Sequence, residues 1–127
     1  MSSIIANSLG GGVDVGIRDT SKMPTLTINA TKSLIESKCN TCSIVGSGNL
    51  TGVDPVLGAI AFNGGSTRTQ AVLAGSPAVN AGSNPLSLIY DQRGTARVQR
   101  GKADMGSYES SIKTKTDISP ILMLLLD

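Results

Sequence analysis

The chain contains no histidine and no tryptophan, and its aromatic side chains are limited to Phe62, Tyr90 and Tyr108. Without histidine it has neither a Ser-His-Asp triad nor the commonest metal ligand. With so few rings it offers little surface on which bases or sugars could stack. These absences exclude most familiar enzyme chemistries and predict a protein without catalytic residues, cofactor or metal.

Charge is also scarce. Charged residues make up 16% of the 127 residues, and 11 Lys and Arg against 9 Asp and Glu leave a formal net charge of +2. A balance so close to neutral creates no strong attraction for nucleic acid, anionic lipid or acidic partners. One stretch is locally basic, but it has no interleaved aromatic residues and is interpreted as a solvated face: Arg93, Arg97, Arg100 and Lys102. We therefore expect no nucleic-acid partner.

Long hydrophobic runs are absent too. The longest covers six residues, 121–126, whereas a membrane-spanning helix needs about 20. The amino terminus has neither the basic region nor the apolar stretch of a signal peptide. We expect no membrane span, and we expect the apolar run to pack on the core or on another subunit through Ile121, Leu122, Leu124, Leu125 and Leu126.

Cysteine occurs twice, as Cys39-Asn40-Thr41-Cys42. A structural zinc site would need a second pair or histidines, and a thioredoxin-like site would need a βαβ context. The flanking residues favour a turn and a strand instead. The pair is interpreted as a surface turn that carries either two thiols or a local disulfide.

Glycine is abundant, with 15 residues, and it is accompanied by many Ser, Thr and Asn. Apolar and polar residues alternate in short stretches such as 13–18 and 25–30, which turn residues separate. No helical pattern persists for three turns. The sequence predicts an all-β fold of either the sandwich or the solenoid kind. Short strands, few aromatic anchors and polar residues near strand ends favour the solenoid.

The second half of the chain carries five motifs in a fixed order: Thr51-Gly52-Val53-Asp54-Pro55, Asn63-Gly64-Gly65, Gly75-Ser76-Pro77-Ala78-Val79-Asn80-Ala81-Gly82, Asp91-Gln92-Arg93-Gly94 and Asp104-Met105-Gly106-Ser107-Tyr108-Glu109. In this order they resemble the carboxyl-terminal portion of the bacterial surface proteins described as choice-of-anchor Q proteins. The resemblance covers residues 43–109 and implies a right-handed parallel β-helix of the pectate-lyase-like kind. We therefore expect a short β-helix (solenoid) fragment with a turn-rich C-terminal cap. Its terminal coils and cap would cover 1–110, and a tail with the apolar segment would cover 111–127.

Within these motifs, some residues suit turns or the cap, because proline fixes the backbone and glycine or asparagine tolerates positive φ: Asp54, Pro55, Asn63, Gly64, Gly65, Gly75, Pro77, Gly82, Gly94 and Gly106. Four charged residues lie in segments that otherwise read as buried or tightly turned: Asp91, Arg93, Asp104 and Glu109. In the structural interpretation, Arg93 forms a forked pair with Asp104 or Glu109 and ties the cap to the last coil. In the functional interpretation, which the resemblance to polysaccharide lyases suggests, the carboxylates form an acid/base pair or bind calcium.

Two functions remain open. The first is a non-enzymatic structural or interaction module, a β-helix end that forms a homo-oligomer or terminates a larger bacterial surface protein. The alternative is a carbohydrate-active or carbohydrate-binding fragment, lyase-like, with a polysaccharide as its partner. The resemblance implies a secreted or cell-surface protein, whereas the missing signal peptide indicates the cytoplasm for a stand-alone truncated product.

Overall fold

The computed structural model describes residues 2–7, 13–16 and 25–114. Among these residues there are seven short strands: β1 (Ile4–Ile5), β2 (Leu26–Asn29), β3 (Leu34–Ile35), β4 (Cys42–Val45), β5 (Leu50–Thr51), β6 (Leu57–Ala61) and β7 (Thr69–Val72). The described part contains no helix with the length and apolar character that crossing a membrane requires.

The strands form three small sheets. In the first, of order β1-β3-β5, all pairs are parallel, and Ile4 lies opposite Leu34, which lies opposite Leu50. The second joins β2 to β4, also in parallel. The third is an antiparallel hairpin of β6 and β7, in which Leu57 lies opposite Val72. The expectation of an all-β fold is confirmed.

The expectation of a parallel β-helix is wrong. The parallel strands form two separate sheets, the third sheet is antiparallel, and the described strands form neither a closed nor a solenoidal sheet. The chain reverses after β6 because the Asn63 side-chain amide donates to the carbonyl of Thr69 at 2.9 Å and closes the hairpin loop. After β7 no further strand forms up to residue 114, so no repeating coil is added.

The hydrophobic core lies where the first sheet meets the hairpin and the turn-rich segment that follows it. Its fully buried members are few: Leu34, Val72, Ala78 and Met105. Partly buried side chains surround them, among them those of Ile4, Leu50, Leu57 and Tyr108. The parallel register explains the arrangement, because it aligns Ile4, Leu34 and Leu50 in one row over this core.

Two backbone hydrogen bonds hold the turn-rich segment on the core. The amide of Met105 donates to the carbonyl of Ala78 at 2.9 Å, and the amide of Gly82 donates to the carbonyl of Ala103 at 2.8 Å. The approach is so close that a Cβ atom at Gly82 would run into the carbonyl of Asp104. A side chain at this position would therefore force the two segments apart.

Cys39 and Cys42 form a disulfide bond. The sequence leaves open whether this pair is two free thiols or a local disulfide, and the structure contains the disulfide. The preceding residue, Lys38, forms an isolated parallel bridge with Val15. The disulfide thus lies at the turn that leads into β4.

Candidate functional site

The segment 91–95 is a tight turn built around one carboxylate. Oδ1 of Asp91 accepts hydrogen bonds from the amides of Arg93 at 2.8 Å and Thr95 at 3.0 Å. The amide of Gly94, whose φ is +84°, donates to the Asp91 carbonyl. An aspartate that accepts from the amides two and four residues ahead stabilises such a turn locally.

The second oxygen of the same carboxylate forms an ion pair. Oδ2 of Asp91 accepts from Nη2 of Arg93 at 2.8 Å and from Nε at 3.0 Å, and also from the amide of Glu109 at 2.9 Å. Burial by itself would raise the pKa of Asp91. The hydrogen bonds from Glu109 and Arg93 outweigh that effect and hold the pKa below its ordinary value.

The guanidinium of Arg93 joins three parts of the chain. It donates to the carbonyl of Asn63 at 3.3 Å and to that of Glu109 at 2.6 Å, and it lies 3.6 Å from the centre of the Tyr108 ring. A Cβ atom at Gly65 would lie 3.0 Å from the Cα atom of Arg93, so the hairpin loop packs closely against this turn. Arg93 therefore links the hairpin loop, the 91–95 turn and the end of the turn-rich segment.

A second buried group surrounds Glu109. Its Oε2 accepts from the amide of Asp104 at 3.0 Å and from Nη1 of Arg97 at 3.3 Å. The Asp104 carboxylate accepts from the amides of Asn80 and Ser110, both at 2.7 Å. Nη2 of Arg97 donates to the carbonyl of Asp104 at 3.0 Å. Asp104 and Glu109 are each 1% exposed.

We call Asp91, Arg93, Arg97, Asp104 and Glu109 the charge network. It contains three carboxylates and two guanidinium groups, so one negative charge has no matching positive charge within it. Oε1 of Glu109 is buried and has no hydrogen-bond partner among the described residues. Burial raises the pKa of Glu109 to about 7, and the charge of Asp104 adds to this, against the opposing effects of the Asp104 amide and Arg97. Protonation of Glu109 would leave two charged carboxylates opposite the two guanidinium groups.

The network lies next to a groove of about 300 Å³. Apolar residues line much of the groove, including Ile4, Leu86, Leu88 and Tyr90. Asp91 and Arg97 also border it, but their polar atoms bond within the network. Asp104 and Glu109 are not among the residues that line the groove, and both carboxylate oxygens of Asp91 accept hydrogen bonds within the network. In the part of the chain that the structure describes, no group of three or more acidic or cysteine side chains could hold a metal ion.

The structure brings the four predicted charged residues together, but with other partners than the sequence indicated. Arg93 forms its ion pair with Asp91, and the arginine that pairs with Glu109 is Arg97. The interpretation of Arg97 as part of a solvated face is wrong, because the residue is 5% exposed. An antiparallel bridge between Tyr90 and Ala96 turns the Arg97 side chain inward, and no local sequence pattern signals that bridge. Arg100 and Lys102, by contrast, are exposed.

The predicted turn residues lie at bends and close contacts of the chain. Positive φ occurs at Gly64, Gly75, Gly94 and Gly106. The Asp54 carboxylate accepts from the amide of Val56 at 2.7 Å, Pro55 is buried, Pro77 is half-buried, and Gly65 and Gly82 lie at the close contacts described above. The predicted oligomer tail lies outside the described residues: Ile121, Leu122, Leu124, Leu125 and Leu126.

Comparison of the chain with protein-family models, with curated proteins and with solved structures finds no match. The interpretation of the charge network therefore rests on its geometry.

Proposed function

We propose that this protein is a non-enzymatic structural module that associates with itself or terminates a larger assembly. The observation that carries the proposal is that the charged groups of the network bond to one another and to the backbone of the same chain, away from solvent. Each of its carboxylates accepts hydrogen bonds from backbone amides of the same chain, and the side chains are almost completely buried. Such groups hold turns together, and an acid or base catalyst must instead contact its substrate.

The same geometry argues against the lyase-like alternative. A lyase of that kind would require Asp, Glu and a basic residue to converge in an open groove. Here Asp104 and Glu109 are buried beneath the surface, and Lys102 is not among the residues that line the groove. The open groove instead presents mainly apolar side chains.

The β6–β7 hairpin is the surface that we propose for association. Each of its strands has an outer edge with no neighbouring strand among the described residues. Large apolar side chains are exposed on the hairpin and just beyond its strands, at Ile60, Phe62 and Leu73. Unpaired strand edges beside exposed apolar groups favour pairing with another chain.

The proposal includes a location outside the cytoplasm, at a bacterial cell surface. The resemblance of the five motifs to choice-of-anchor Q proteins motivates this part of the proposal. The disulfide between Cys39 and Cys42 supports it, because disulfides persist mainly in oxidising compartments.

Light scattering over a roughly hundredfold range of protein concentration tests the association. We expect the mass to rise above the 13.0 kDa of one chain and to reach a plateau at a fixed multiple. Ile60→Lys places a charge on the hairpin edge and should weaken association at least about tenfold. Val45→Lys, on an exposed position of β4, is the matched control and should leave it unchanged. A monomer at every concentration would overturn the proposed self-association, and release of unsaturated sugars from acidic polysaccharides would overturn the non-enzymatic assignment.

A further inference from the structure

Exposed apolar side chains line the groove beside the charge network. Leu86 and Tyr90 are 68% and 60% exposed, and Leu88 and Ile4 complete the apolar wall. A volume of about 300 Å³ lies at the lower end of the range for binding pockets in proteins. The groove therefore fits a few apolar side chains better than a large ligand.

One side of the groove is the outer edge of β1. The carbonyls of Ser3 and Ile5 face β3, since they accept from the amides of Leu34 at 2.8 Å and Glu36 at 3.0 Å. Carbonyls alternate in direction along a strand, so that of Ile4 points to the outer edge, where no strand pairs among the described residues. An extended segment in the groove would find both apolar contacts and backbone partners.

The chain itself continues for 13 residues beyond Thr114, and these include the six consecutive apolar residues 121–126. Glu109, five residues before the last described residue, lies near the groove. Arg97, which borders the groove, pairs with Glu109, and Nη2 of Arg100 contacts the carbonyl of Ser111 at 3.5 Å. Seven peptide units connect Thr114 to Ile121 and span up to about 25 Å. This is roughly twice the radius of gyration of a 100-residue domain, so the connection is long enough for the segment to reach the groove.

We propose that the apolar segment 121–126 docks in this groove of its own chain, as an extended segment beside β1. Attachment to the same chain gives the segment an effective concentration on the order of millimolar. Docking within one chain therefore outcompetes docking between copies when the protein is at micromolar concentration. This assignment goes beyond the proposed function and does not depend on it, because the proposed association surface is the β6–β7 hairpin.

A photo-crosslinker in the segment tests the docking in the full chain. Met123→p-benzoylphenylalanine places the reactive group at the centre of the apolar run, and mass spectrometry after irradiation identifies the residues that it reaches. We expect links to the groove residues 83–90 of the same chain. Their yield should stay constant on dilution, because the reaction is intramolecular.

Two exposed positions give a matched pair of variants in the same crosslinking background. Leu88, in the groove wall, is 46% exposed, and Val98, which does not line the groove, is 43% exposed. Leu88→Asp should lower the yield of groove links at least about fivefold, because docking would bury the new charge, whereas Val98→Asp should change it by less than about twofold. Links only to other residues, equal yields in the two variants, or links mainly between copies would each overturn the docking. Light scattering of the same samples reports on self-association separately.

Discussion

Replacement of Glu109 by glutamine should change how the stability of the protein depends on pH. The carboxyl group is 1% exposed, its Oε2 atom accepts two hydrogen bonds, and its Oε1 atom has no partner in the described part of the chain. Glutamine keeps an oxygen for the Asp104 amide and Arg97 and places an uncharged amide group at the other position. It therefore resembles the protonated form of Glu109 and cannot ionise.

The magnitude follows from the raised pKa. Burial lifts the pKa of Glu109 from the ordinary value of 4.5 to about 7, which corresponds to roughly 3 kcal/mol at about 1.4 kcal/mol per tenfold change in proton affinity. Between these two values the folded chain keeps a proton that the unfolded chain has released. Raising the pH therefore favours unfolding, and this contribution to stability is present below pH 4.5 and lost as the pH rises through about 7.

Urea unfolding at fixed protein concentration, followed by circular dichroism at several pH values between 4.5 and 8.5, measures the effect. The parent chain should lose roughly 3 kcal/mol over this range, and Glu109→Gln should lose much less. The two should be similar in stability near pH 4.5, and the variant should be more stable above pH 7. Glu36→Gln, the control at the other glutamate, should follow the parent because Glu109 is intact. A parent chain whose stability is constant or rises over this interval would refute the reasoning, as would equal slopes in parent and Glu109→Gln.

Substitutions at three further positions test other parts of the structure through urea unfolding at pH 7. Arg93→Ala should cost about 3–5 kcal/mol, because it leaves the buried Asp91 carboxylate without its partner, and Arg93→Lys should recover less than half of that. Leu34→Ala should cost about 2–5 kcal/mol as a cavity in the core, and a loss below about 1 kcal/mol would place Leu34 outside the core. Gly82→Ala should cost about 3 kcal/mol or more, because its Cβ atom meets the Asp104 carbonyl, and a neutral effect would contradict the packing of these segments.

The strands that sequence patterns predict best are those that depend on local alternation. Residues 25–30 alternate apolar and polar side chains, and β2 forms over Leu26–Asn29. The direction in which strands pair is not local. Loop closure by Asn63 makes β6 and β7 antiparallel, whereas continuation of the parallel order would have required a strand on β5. The solenoid prediction was wrong for β6 and β7, because the spacing of strands in the sequence does not determine which strands pair or in which direction.

The same distinction applies to the charge network. Turn residues around Asp91 and Asp104 indicated that these carboxylates belong to tight, buried segments, and in the structure both carboxylates are buried. Their partners depend on contacts between distant segments. Arg97 points inward because of the Tyr90–Ala96 bridge, and its neighbours in sequence, Ala96 and Val98, are exposed. This reverses the usual pattern of apolar residues inside and charged residues outside, so sequence periodicity could not identify Arg97 as buried.

The three carboxylates of the network accept hydrogen bonds from backbone amides, which in the rest of the chain is a role of neighbouring strands. No strand forms between residues 73 and 114, so the backbone amides of this segment cannot all find partners in a sheet. Six of the backbone amides in this segment donate to Asp91, Asp104 or Glu109. If an oxygen that accepts such a hydrogen bond turned to a substrate instead, a buried amide would be left without an acceptor, at a cost of about 1–3 kcal/mol. The acidic residues of this segment accept backbone hydrogen bonds that a sheet would otherwise satisfy. This supports the proposed structural role over a catalytic one.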